Sequence, residues 1–326
     1  MIPVKSKKYD FDITVNPNTY AGELALPFVT AAILGAETIN KGRCRLIEGV
    51  VNKAVINPLN YSDVLQAGGT GAACDFQDGS NITLAEQVIT LSDLKVNEAI
   101  CRGTIFPTFM AAQGRMVRDG QIPPAFTDFL LAATAEQAGK SLESIMWTGA
   151  SPFGTGLLSN SGTINEAGIN ASAMQDFAQV DLTTAFTAST ILGHMDSVFA
   201  SAAATPGILG KPGCGFYVSY EAYAFFQQAV ADKGTEGNYN KDLKEVTYLG
   251  YPVYACSGIP NTVDVIAFTY PDNIVVGTNA YTGNEAAQLI PAYQYDGSDN
   301  VKVTMNFAVG LNVAVAGDGV VGFDFS

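Results

Sequence analysis

From Val301 to Val315 every second residue is large and apolar: Val301, Val303, Met305, Phe307, Val309, Leu311, Val313 and Val315. The residues between them are polar or small. Successive side chains of a strand point to opposite faces, so this period of two predicts one strand of about 15 residues, near 50 Å at about 3.3 Å per residue. Its second face, Lys302, Thr304, Asn306, Ala308, Gly310 and Asn312, is left for water or for contact with small residues. Most strands are far shorter, so an elongated subunit is expected.

A helical period governs residues 125–147. Phe126, Leu130, Ala133, Ala138, Leu142 and Ile145 recur at threes and fours, while Asp128, Glu136, Lys140 and Glu143 fall on other faces. Pro123 and Pro124 precede it, where missing N–H groups do no harm, and a helix of this extent is about 35 Å long. A Gly/Ser/Pro loop, 147–160, follows. Further helices are predicted over 20–38, stopping at Gly42, over 183–203 with Phe186, Ile191, Met195, Val198 and Phe199, and over 220–231 with Ser219 as N-cap. Strands are predicted over 215–218, 245–256, 263–268 and 274–277, divided by Ile259-Pro260-Asn261 and Pro271-Asp272-Asn273.

The first 18 residues carry Pro3 and Pro17 without a helical period and read as an extended arm. Between 43 and 102, two β-like runs, 44–56 and 87–102, bracket the Gly-rich tract from Gly68 to Asn81, which predicts a long hairpin with a polar tip. Such a hairpin has little core of its own and needs a surface to lie on.

Composition narrows the function classes. With 48% hydrophobic residues the chain can bury a proper core, yet only 15% are charged, against about a quarter in ordinary domains. Much of the surface is therefore neutral or held in contacts. The net charge of −14 argues against a protein that grips phosphates, because that affinity comes from Lys and Arg. The basic cluster Lys5, Lys7 and Lys8 suits DNA, an acidic partner or a solvated arm. Cys44, Cys74, Cys101, Cys214 and Cys256 are odd in number and lack a C-x-x-C pair, which predicts reduced, mostly buried thiols and neither zinc nor a disulfide framework. No secretory h-region follows Met1, and the apolar stretch 24–36 is shorter than the roughly 20 residues that span a bilayer.

Catalytic chemistry is hard to place. Gly139-Lys140-Ser141 looks like the end of a phosphate-binding loop, but the glycine needed earlier is Thr134 and the tripeptide falls inside the long helix. Gly68, Gly69 and Gly71 precede no helix, so the dinucleotide fingerprint also fails. The single histidine, His194, sits in an amphipathic helix and reads as structural. Asp75, Asp78 and Asp318 lie in Gly-rich turns and read as solvated loop residues before a calcium site. Trp147 and the groups Tyr217/Tyr220/Tyr223 and Tyr248/Tyr251/Tyr254 lack interleaved cations, which favours core packing or subunit contact over base stacking. No catalytic, cofactor or metal residues are expected.

The order arm, hairpin, long helix, compact module and closing strand resembles the Hong Kong 97-type capsid proteins of tailed phages, a family that also includes encapsulins. Local stretches agree: TGASPFGTGLLSN (148–160) is similar to the family's exit from its long helix, and YLGYPVYACSGIP (248–260) to its GYPV…IP hairpin. FTYPDNIVVG (268–277) and VKVTMNFAVGLNVA (301–314) are similar to its NIVVG and RVRMNFKAGVQV strands. The resemblance implies an α+β fold: N-terminal arm and helix over 1–42, E-loop over 43–104, P-domain with spine helix over 105–180, A-domain over 181–280, and P-domain closing strands over 281–326. It implies a major capsid protein, not an enzyme, whose pentamers and hexamers enclose double-stranded DNA without binding it specifically, in a virion assembled in the bacterial cytoplasm. Portal and head-decoration proteins are further partners, and no membrane is involved. Because no charged helical segment precedes the arm, assembly is expected to rely on a separate scaffolding protein, or on none. Lys7, Lys8, Gly68, Gly69, Gly71, Tyr251 and Asn306 are the candidate subunit contacts. Lys53 and Asn306 are too loosely placed to carry over the family's Lys–Asn cross-link. An encapsulin compartment and a soluble hydrolase using carboxylates are the alternatives.

Overall fold

The computed structural model describes residues 18–21, 26–56, 59–62, 81–84, 86–101, 126–205, 207–232, 246–280, 286–292, 295, 297–298 and 300–324. The chain opens with β1 (Asn18–Ala21), α1 (Leu26–Leu34) and α2 (Glu37–Asn40). The helix expected over 20–38 is thus divided: Tyr20 pairs with Ala287 in a sheet, and Gly35 and Ala36 separate α1 from α2. The break has a packing reason. A side chain at Gly35 would meet the Gly139 Cα at 2.9 Å, and one at Gly139 would meet the Gly35 Cα at 2.5 Å. The backbones of α1 and the long helix α3 (Phe126–Thr148) touch there, which only glycine allows. The range of α3 agrees with the helical period, and Gly139-Lys140-Ser141 lies within it.

The first sheet is built on β15 (Asn300–Val313). One edge of β15 pairs with β13 (Ile274–Thr278) and, farther along, with β14 (Ala286–Pro291); β2 (Arg45–Ile47) runs parallel beside β13, β1 lies beyond β14, and the other edge pairs with β7 (Ser92–Cys101). Residues 300–306 of β15 keep the expected alternation of burial, but residues 307–311 are buried on both faces. The second face is covered by β6 (Gln87–Thr90), which crosses β15 at Gly310, where a Cβ would lie 2.3 Å from the Thr90 carbonyl oxygen.

The hairpin is present. Strand β3 (Lys53–Ile56) pairs with β6, and β4 (Leu59–Ser62) with β5 (Asn81–Leu84), so the ladder runs from Lys53↔Thr90 to Ser62↔Asn81. Its first run is shorter than the single strand expected over 44–56, because β2 belongs to the first sheet and the chain turns before β3. Gly68, Gly69, Gly71 and Cys74 lie outside the described residues.

The second sheet has the order β10-β11-β9-β12-β16-β8. Its strands are β8 (Ala178–Asp181), β9 (Gly215–Val218), β10 (Thr247–Tyr248), β11 (Tyr251–Ala255), β12 (Val265–Thr269) and β16 (Val320–Phe323). Between β7 and β8 come α3 and the short α4 (Glu166–Ile169); α5 (Ile191–Ala204) lies between β8 and β9, and α6 (Tyr220–Asp232) follows β9. Every residue of β9, β12 and β16 is buried. Their odd positions, Tyr217, Val265, Ala267, Val321 and Phe323, join the core under α3, and their even positions, Phe216, Val218, Ile266, Phe268 and Val320, join the core under α5 and α6. Strands covered on both faces read as continuous apolar runs, which is how VIAFT appears in the sequence.

Two expectations are corrected here. The helix predicted over 183–203 begins only at Ile191, with Phe186 buried in the preceding loop. The strand predicted over 245–256 is the hairpin β10–β11, closed by Leu249 and Gly250, as the resemblance implied. Strand β13 is hydrogen-bonded into the first sheet, while β16, near the end of the chain, pairs with β12 and β8 in the second. The capping prediction holds: the Ala222 N–H donates to Ser219 Oγ at 3.2 Å.

Candidate functional site

Where α2 crosses the end of α3, a polar knot lies between the two sheets. Glu143, which the helical period sets off the apolar face of α3, is 2% exposed because α2 covers it. One of its carboxyl oxygens accepts from Thr38 N–H at 2.9 Å; the other accepts from Thr38 Oγ1 at 2.6 Å and from Trp147 Nε1 at 2.9 Å. Beside it Glu37 accepts from Lys41, from Tyr220 Oη at 2.6 Å and from Ser257 N–H at 3.1 Å. Arg43 donates to the Ala255 carbonyl and lies 4.9 Å over the Tyr254 ring, and Tyr217 Oη donates to the Arg43 carbonyl at 3.0 Å. The knot thus ties the helical layer to the ends of β9 and β11.

Burial works against ionisation of Glu37, yet hydrogen bonds from Lys41, Tyr220 and Ser257 outweigh it and bring the carboxyl from 4.5 to about 2. A folded value below the unfolded one gives a contribution fully present above about pH 5 that is lost as pH falls through the folded value. The wild-type protein is therefore expected to melt above Glu37→Gln at neutral pH, with a margin that closes between pH 4.5 and about 2. Partial solvation limits that margin to about 1 kcal/mol. Melting curves of both proteins across this range check it.

Burial pushes the Cys44 and Cys256 thiols up to about 12 and Cys214 up to about 11, so they are poor nucleophiles near neutrality. Cys101 is exposed, which departs from the expectation of mostly buried thiols. His194 is held by Thr184 Oγ1 at 3.1 Å and by the Phe186 ring at 5.2 Å. Asp318 accepts from Tyr270 Oη at 3.1 Å, while Asp75 and Asp78 lie outside the described residues. Among the described residues no group of three His, Cys, Asp or Glu side chains is placed to hold a metal, and no helix is long and apolar enough to cross a membrane.

Contact surface is easier to find. On the outer face of the hairpin base, Val55 and Val88 are cross-strand partners and both are exposed, next to Val51 at 76%. An apolar groove of about 890 Å³ runs between α3 and β7, lined by Leu94, Val96 and Ile100 from the strand and Phe129, Ala133 and Ile145 from the helix. Exposed apolar area of this kind marks surfaces that meet other macromolecules.

No family model matches the sequence, and no curated protein does. Solved structures do match. A chain of the satellite phage P4 procapsid superposes with a TM-score of 0.55 at 11% identity, over 97% of this chain and 95% of that one. A chain of the capsid of a native GTA particle gives 0.54 at 11% identity, over 100% and 96%. A chain from Gordonia phage Cozz gives 0.52 at 14% identity, over 89% and 87%. The chain has the Hong Kong 97-type capsid fold.

Within this capsid fold, α3 and the β3–β6 hairpin fall in the ranges that the resemblance gave to the spine helix and the E-loop. Of the candidate contacts, Lys7, Lys8, Gly68, Gly69 and Gly71 lie outside the described residues. Tyr251 is half-buried: its hydroxyl donates to the Leu209 carbonyl at 3.2 Å, and its ring packs 5.6 Å from Phe268 and 5.7 Å from Phe199. Asn306 is exposed in β15, opposite Lys95 of β7. The two are in different sheets and form no common site. Sequence reasoning missed the Val55/Val88 pair and the groove. The signal for the first was present, since Ala54-Val55-Ile56 and Val88-Ile89 put apolar residues on both faces of the hairpin.

Proposed function

We propose that this chain is the major capsid protein of a tailed bacteriophage, a non-catalytic subunit whose pentamers and hexamers form an icosahedral head shell around double-stranded DNA. The observation that carries this reading is the reciprocal coverage: the match takes in 97% of this chain and 95% of the P4 procapsid chain. The exposed valines of the hairpin and the apolar groove support it, because a shell holds each subunit by several modest contacts at once. A net charge of −14 suits a wall that lets DNA slide during packing. A separate scaffolding protein, a portal and decoration proteins are the further partners of this reading, and the virion is its location.

The test is expression of the chain, alone and with its genomic neighbours, followed by sizing and negative-stain electron microscopy. Closed shells, sheets or capsomers are expected. A stable monomer in both cases overturns the proposal, and shells filled with a cargo enzyme and lacking a portal would mark an encapsulin instead.

A further inference from the structure

Strands β10 and β11 are joined by Leu249 and Gly250 alone, at φ +49° and +88°. Two consecutive positive φ values define the tight hairpin turn whose twist matches its strands, and that turn favours Asn, Asp or Gly at its first position. Leucine is a poor choice there, because in the left-handed region its Cβ crowds the following carbonyl. Among the described residues Leu249 is the one non-glycine with positive φ.

The side chain gains little within its own subunit, since Leu249 is 56% exposed. Exposure of one leucine means nothing by itself. Exposure of a leucine that the backbone also disfavours means that neither the turn nor the core of the lone subunit selects it. The tip is moreover held firmly from both sides. Tyr248 Oη donates to Asp196 Oδ1 at 2.6 Å on α5, and Tyr251, its cross-strand partner, is anchored to Leu209 and the Phe199 ring. β10 is the end strand of the second sheet, so the turn stands at the sheet's edge.

We propose that Leu249 is an assembly residue: in a ring of subunits it enters an apolar recess on the next copy of this chain, and each copy repeats the contact until the ring closes. The inference rests on the capsid reading and adds the residue that the contact between copies selects.

The test uses Leu249→Asn and Leu249→Met in the full chain. Leu249→Asn creates the favoured Asn-Gly turn, so the unassembled subunit is expected to melt at or above the wild-type temperature. The concentration at which shells form is expected to rise at least tenfold. Leu249→Met, which keeps an apolar tip, should assemble within twofold of wild type. Assembly of Leu249→Asn at the wild-type concentration overturns the inference, and so does a lower melting temperature, which would place the role of Leu249 inside the subunit. Failure of the wild type to assemble removes the capsid reading first and this inference with it.

Discussion

On the capsid reading, Gly310→Ala is expected to give a folded subunit that no longer closes shells. The glycine pairs with Gly277 of β13, and the two together open a slot across the first sheet. Into that slot the hairpin sets Ile89, which is fully buried. A methyl group on residue 310 would lie 2.3 Å from the Thr90 oxygen, 2.9 Å from the Thr90 carbonyl carbon and 3.1 Å from Ile89 Cγ2. Two of these neighbours are backbone atoms, so no rotamer change relieves the clash and β6 has to lift off β15. Overpacking of this kind destabilises by about 1–3 kcal/mol. The loss falls on the small cluster of Ile89, Val275 and Ala314 under the hairpin, while the two larger cores keep their residues. Far-ultraviolet dichroism should therefore look native with a modestly lowered melting point. On that reading electron microscopy should show capsomers or monomers in place of shells, because β6 and the hairpin it carries no longer lie on β15 as in the native subunit. Shells of wild-type yield from Gly310→Ala would show that the crossing does not govern shell closure.

Glu143→Ala is expected to be the most destabilising single change in the polar knot. Its removal orphans Thr38 N–H, Thr38 Oγ1 and Trp147 Nε1 in a place where water is excluded. Trp147 Nε1 keeps a 3.2 Å contact with Thr38 Oγ1, so one donor is partly rescued. Unsatisfied buried donors cost about 1–3 kcal/mol each, which puts the total at about 4 kcal/mol and the fall in melting temperature at about 8 °C. Glu143→Gln retains one acceptor oxygen but turns an amide toward donors, so about half that loss is expected. Thermal melts of the unassembled subunit rank the three proteins. Equal stability of Glu143→Ala and wild type would mean that the knot is decoration on an already sufficient apolar seam.

Glu143 shows where local pattern stops. Its position on α3 is 3.6-periodic with Glu136 and Lys140, which do face water, and nothing near it in sequence says that α2, about a hundred residues earlier, lies across it. The same limit explains β2 and β3. Both are short apolar runs, and only pairing with β13 in one case and β6 in the other sends them to different sheets. Leu249-Gly250 has the usual turn glycine but a leucine where Asn, Asp or Gly is favoured, so the residue period reads as one strand where the backbone folds back.

By itself, the sequence determined the elements whose cause is local: α3 through its helical period and prolines, α6 through its serine cap, β15 through strict alternation, and the hairpin through two β runs around a glycine tract. Side-chain direction along a strand or helix is set by backbone geometry, so period is legible without partners. Only the tertiary structure decided which faces are covered twice. Residues 307–311 of β15 and all of β9, β12 and β16 are buried on both sides because β6, α3 and the α5–α6 layer arrive from distant parts of the chain. A small residue facing water and a small residue admitting a crossing strand look alike in one dimension; Gly310 is told apart by the atom 2.3 Å away.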